Sequence, residues 1–80
     1  MHRVWFVIPN VEVWYKIIRE ANDAFGKNWR GQQRVKRKFE VQRWASPDKS
    51  LNIWFDVPDP KFAVWVAVKH SVTVMNGPNK

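Results

Sequence analysis

Between Asn10 and Gly26 the apolar side chains of Val11, Trp14, Tyr15, Ile18, Ala21 and Phe25 recur at spacings of three and four residues. On a helix of 3.6 residues per turn that spacing gathers them into one stripe. Lys16, Arg19, Glu20 and Asp23 lie off it. Asn10 is a good N-cap, Glu12 sits where the helix dipole favours a negative charge, and Gly26 suits the left-handed residue after the last turn. The spacing predicts a helix of about four turns. A single amphipathic helix cannot bury its own stripe, so the flanking segments must supply an apolar layer.

Those flanks alternate. Val4, Phe6 and Ile8 share one parity and Arg3, Trp5 and Val7 the other, which predicts a strand over 3–8 that Pro9 ends. Leu51, Ile53, Phe55 and Val57 alternate with Asn52, Trp54 and Asp56, the cleanest strand pattern in the chain. Lys27 to Gln33 is polar and reads as a loop. Residues 34–44 alternate again and are predicted as a strand, with Val35, Phe39 and Val41 on one side. Ser46-Pro47-Asp48-Lys49 has turn chemistry, and 76–80 reads as a frayed tail.

Residues 62–68 are ambiguous. Asp59-Pro60 is a helix start signal. A helix there would be apolar nearly all round and rich in valine, which argues for a strand carrying Val64, Val66 and Val68 inward. The expected fold class is α+β: a single domain over 1–80, with a β-α-β-β-β antiparallel-rich sheet and one helix on one face. The alternative is the ferredoxin-like order β-α-β-β-α-β.

Adding up the faces points to a surface with a use. One helix covers one face of a sheet. The opposite parity collects Trp5, Trp44, Trp54 and Trp65, four of the six tryptophans, among Arg3, Arg34, Lys36, Lys38, Gln42, Asn52 and Lys69. Indoles are stacking platforms for nucleobases, and lysine and arginine neutralise phosphates and release counterions. The same types also suit a docking interface or a face-to-face homodimer. A second signal is the run Lys27, Arg30, Arg34, Lys36, Arg37, Lys38 and Arg43, opposed only by Glu40. Lysines on an edge strand discourage aggregation, but that need accounts for two or three charges rather than seven. The whole chain carries a formal charge of +7 with a pI near 10.3. That is a statement about partners rather than about fold.

Catalytic patterns are scarce. The two histidines are His2, near the terminus, and His70, beside Lys69. Asp56 and Asp59 straddle a proline turn and read as turn formers. No glycine-rich phosphate loop, metal-ligand spacing or nucleophile motif stands in the sequence. A non-enzyme without cofactor is therefore expected. With no cysteine, no apolar run near the roughly 20 residues of a membrane span, and only Val4 to Pro9 as an apolar opening, a soluble cytoplasmic protein without membrane contact is expected.

Arg3-Val4-Trp5-Phe6-Val7 followed by a helix is similar to the opening of the N-terminal domain of NusG-type transcription elongation factors, and Asp59-Pro60-Lys61 echoes it. The resemblance implies a ferredoxin-like fold; no functional residue is carried over from it. In size, lack of cysteine and lack of common motifs the chain also resembles phage accessory proteins, among them inhibitors of host nucleases or CRISPR complexes. The expected function is nucleic-acid binding of low sequence specificity through Arg30, Arg34, Lys36, Arg37, Lys38, Trp44, Trp54 and Trp65. The alternatives are an inhibitor docking the same surface on an acidic protein or ribonucleoprotein, and a homodimer through the tryptophan face. Contact with several phosphates predicts that raising salt from about 50 to 200 mM weakens oligonucleotide binding tenfold or more. Titration followed by tryptophan fluorescence checks this, and equal, weak binding at both salts contradicts it.

Overall fold

The computed structural model describes residues 1–45 and 50–75, with the backbone alone for 43–45. The predicted turn at 46–49 and tail at 76–80 lie outside the described residues. The elements run β1 (His2–Ile8), α1 (Val11–Phe25), β2 (Arg30–Gly31), α2 (Val35–Ala45), β3 (Leu51–Val57), α3 (Lys61–His70) and β4 (Thr73–Met75). They form an α+β domain with one four-stranded antiparallel sheet in the order β2-β3-β1-β4. Leaving α2 aside, this is the strand order of the ferredoxin-like split motif, with a helix inserted between β2 and β3.

The helix and the two strands with clear patterns form where the sequence places them. The Asn10 side chain accepts a hydrogen bond from the Val13 N–H at 3.0 Å, and the Gly26 N–H donates to the Asn22 carbonyl at φ +61°. β1 and β3 pair along their whole length, with Val4 opposite Phe55 and Phe6 opposite Ile53. These residues are buried together with Ile17 and Ala21 of α1. Phe6 meets Phe55 edge-on at a centroid distance of 5.7 Å.

Two expectations are corrected. Residues 62–68 form helix α3, not a strand. Pro60 opens it at φ −65°, and the Asp59 carboxylate accepts from the Lys61 N–H at 2.9 Å. Phe62, Ala63 and Val66 then turn inward, and Phe62 packs against both Phe6 and Phe25. Width explains the outcome. Four strands at about 4.8 Å spacing make a layer wider than the about 10 Å of one helix, so covering one face takes two helices. Residues 35–45 form helix α2, not a strand. Val35 and Phe39 are four apart, a spacing that shares a face in either periodicity. Val41 decides between them: as a strand residue it would point inward beside Phe39, yet it is 61% exposed.

Gly31 lets this layer close. A Cβ there would lie 3.0 Å from Cζ3 of Trp29 and 3.5 Å from the Phe55 ring. Trp29 cannot swing away freely, because its Nε1–H donates to the Asn22 carboxamide at 2.9 Å. Gly31→Ala is expected to destabilise the fold by about 1–3 kcal/mol through overpacking, measured as a shift of the urea midpoint at unchanged slope.

Candidate nucleic-acid interface

β1 and β3 are the central strands, so their alternation defines two faces. The core parity is covered by α1 and α3, whose buried residues join the same cluster as Phe6 and Phe55. On the other parity no helix packs among the described residues. Trp5 of β1 lies directly opposite Trp54 of β3, and Met75 of β4 lies opposite Trp5 on its other side. One row further along, Arg3 is opposite Asp56, which is opposite Arg30 of β2. On the far side of the indole row Val7 joins Asn52 and Thr73. The open face therefore carries a row of two indoles and a thioether beside a row of two guanidinium groups and one carboxylate.

Arg3 links the rows. Its Nε donates to Oδ1 of Asp56 at 2.8 Å and its Nη2 to Oδ2 at 3.0 Å, a two-bond fork that fixes the guanidinium plane. The Arg3 Cζ lies 3.9 Å from the centroid of the Trp54 ring. Asp56 thus has two roles. It cancels part of the positive charge, and it holds the Arg3 guanidinium over the Trp54 ring. The hydrogen bond from Arg3 holds the Asp56 carboxyl below its ordinary value of 3.8, with the positive charge of Arg3 and then of Arg30 adding to the effect.

The remaining predicted residues are distributed over other surfaces. Arg30 and Trp54 lie on the open face. Trp65 does not: it stands on α3 in the helix layer, 43% exposed, against Phe62 and under the Lys69 ammonium at 4.9 Å. Trp44 belongs to α2 rather than to a sheet, and its side chain lies outside the described residues. Lys36, Arg37 and Lys38 occupy the first turn of α2, all exposed, so they splay around a helix instead of alternating across a strand. Arg34 precedes that turn in a left-handed conformation, φ +59°, with its carbonyl accepting from the Lys38 N–H at 3.0 Å. The expectation of four tryptophans on one face is thereby corrected. Two described indoles share it, and the cations of 34–38 stand apart at the start of α2, where Arg34, Arg37 and Lys38 border Leu51 of β3.

Alternation alone puts Trp5 and Arg3 on this face, and their register opposite Trp54 and Asp56 makes them part of the site. Comparison of the chain with family models, curated proteins and solved structures finds no match. Among the described residues no group of three or more histidine, aspartate or glutamate side chains is placed to hold a metal ion. No described helix is long and apolar enough to cross a membrane.

The lowered Asp56 carboxyl makes a pH prediction. A group whose value is depressed on folding adds stability above its unfolded value, and that stability is lost as pH falls through the folded one. The difference in melting temperature between the wild type and Asp56→Asn is expected to be full at about pH 5–6 and to shrink toward about pH 2. A difference that holds constant over that range contradicts the assignment.

Proposed function

We propose that the protein binds single-stranded nucleic acid on the open face of its sheet, without catalysis and with little sequence specificity. The observation that carries this reading is the cross-strand pair Trp5–Trp54 on the two central strands, bordered by Arg3 and Arg30. Four-stranded sheets that recognise RNA stack bases on aromatics of the open face, and the guanidinium plane of an arginine serves the same purpose. Directly opposed residues on neighbouring strands stand about 5 Å apart at Cβ, close enough for successive bases to stack side by side. Every base has a π face, so such contacts discriminate weakly.

The basic ridge supplies the long-range attraction. Arg34, Lys36, Arg37 and Lys38 neutralise phosphates of a strand leaving the sheet over β2. Three cations in the first turn of α2 oppose its dipole, at a cost of about 0.3–1 kcal/mol each at low salt. A bound phosphate backbone turns that local repulsion into attraction. The reading includes a cytoplasmic setting, supported by a chain without cysteine, which is suited to a reducing compartment.

One observation favours a second reading, a docking protein or inhibitor directed at a protein partner. The outer side of α3 exposes Val64 at 66%, Val68 at 78% and Trp65 at 43%. Exposed valines on a helix serve neither solubility nor helix propensity. The homodimer reading keeps Trp5 and Trp54 on the open face and loses Trp65.

Trp5→Ala and Trp54→Ala are each expected to weaken binding of a ten-nucleotide single strand by about 5- to 150-fold, the equivalent of roughly 1–3 kcal/mol per stacked base. Lys36→Glu with Lys38→Glu is expected to reduce both affinity and the salt slope with no fall in melting temperature, because the exchange relieves the opposition to the α2 dipole. Circular dichroism confirms that the variants are folded. Affinity unaltered in both tryptophan variants sinks the open-face reading and moves the docking reading to first place.

A further inference from the structure

On the helix side of β2 the structure leaves a groove of about 270 Å³. Trp14 and Ile18, one turn apart on α1, form one wall. Trp29 contributes aromatic surface, backed by the fully buried Phe55, and Gly31 with the loop from Gln32 to Arg34 forms the opposite rim. We propose that this groove is a binding site for a single nucleobase with its phosphate. It stands apart from the open-face reading, because its walls are a different set of residues on the other side of the sheet.

Four features converge on that occupant. The first is size: the groove is just below the about 300 Å³ at which ordinary ligand pockets begin, which suits one small ring system. The second is the walls, which are aromatic and pinned. Trp29 is tied to Asn22 of α1 and rests on Phe55 at a centroid distance of 5.8 Å. Gln32 is tied to β3 twice, its N–H donating to the Trp54 carbonyl at 3.1 Å and its side-chain oxygen accepting from the Trp54 N–H at 3.3 Å. A groove with fixed walls is built rather than slack.

The third feature is an orphaned donor. The indole N–H of Trp14 is shielded from solvent and has no acceptor among the described residues. An unpaired buried donor is unfavourable. The ring that carries this donor is itself a wall of the groove, so a base seated against it changes the surroundings of the N–H. The fourth is Arg34 at the mouth, held at φ +59° although it is not glycine. Strained backbone of this kind persists where the surroundings enforce it and gathers at binding sites. Here it places an exposed guanidinium donor at the rim, matched to a phosphate. Gln33, also exposed at the rim, offers an amide that both donates and accepts toward a base edge.

The base has two possible sources, a free nucleotide or a strand that crosses the open face and turns over β2. Trp54 joins the two surfaces, with its ring on the open face and its backbone holding Gln32 of the groove. The test uses the full chain labelled with ¹⁵N, its six indole N–H signals assigned by single Trp→Phe variants. Adenosine or uridine 5′-monophosphate is expected to shift the Trp14 and Trp29 signals saturably and to leave Trp5 and Trp54 in place. Inorganic phosphate is expected to leave Trp14 unmoved. Arg34→Gly removes the guanidinium yet suits the positive φ, so mononucleotide binding is expected to weaken at least fivefold with no loss of melting temperature. A ten-nucleotide strand that shifts all four signals, with affinity far above the mononucleotide's, identifies the strand as the source; equal affinities identify the free nucleotide. A Trp14 signal that ignores every probe overturns the site, as does one that phosphate alone moves to the same extent. Shifts of Trp5 and Trp54 without Trp14 leave the open face standing and remove the groove.

Discussion

The antiparallel pairing of β1 with β3 is the constraint on which the other features depend. Its register sets Val4 against Phe55 and Phe6 against Ile53 on one side, and Trp5 against Trp54 and Arg3 against Asp56 on the other. A slip of one residue would turn one strand over against the other; for β1 it would bury Trp5 and Arg3 and expose Phe6. The hydrophobic cost of that exchange fixes the register, and with it the row of groups on the open side. Once the ladder is fixed, β4 and the two residues of β2 have only its outer edges to join.

The ladder also sets the demand for cover. Phe6 and Phe55 are fully buried, and keeping them so takes α1 from one side and α3 from the other, with Phe62 meeting both Phe6 and Phe25. The two helices are further tied across their surface. Lys69 of α3 reaches Glu20 of α1 at 2.9 Å, and this hydrogen bond lowers the Glu20 carboxyl from its ordinary value. With α1 and α3 committed to the same face, and α2 joined to the same core through Val35, none of the described helices remains for the other. The open indole row is in this sense a by-product of how the core is closed, and the proposed function makes use of it. Arg3 links the core ladder to the open face, satisfying Asp56 while lying over the ring of Trp54.

Charge and aromatic groups end up in three places rather than one. The open face has Trp5, Trp54, Arg3 and Arg30. The ridge at the start of α2 has Arg34, Lys36, Arg37 and Lys38. Between them, over the edge of β2, lies the groove with Trp14 and Trp29. A flexible polyanion can follow such a path because phosphates and bases alternate along it. A rigid partner would meet only one of the three. This distribution is the reason the nucleic-acid reading stands ahead of protein docking, to which the exposed valines of α3 belong.

Local chemistry made α1, β1 and β3 legible in the sequence, because each has an unbroken period together with start or stop signals such as Asn10, Gly26 and Pro9. The α+β class and the parity that puts Trp5, Trp54, Arg3 and Asn52 on one side follow from those three elements alone. The nature of 35–45 and 61–70 was not legible. Val35 and Phe39 satisfy both periods, and the valines of 62–68 carry a strand preference that the start signal at Asp59-Pro60 outweighs only when a sheet is waiting to be covered. Trp65 and the cations of 34–38 moved with those elements, and so left the face that alternation had assigned them. The groove beside Trp14 was invisible for a similar reason: its walls come from α1, β2 and β3, and only their packing brings them together. What the sequence determined was which side chains alternate and where the first helix is capped. What tertiary structure decided was how many helices one face of a four-stranded sheet requires, because that is set by the width of the layer and not by any property local to the chain.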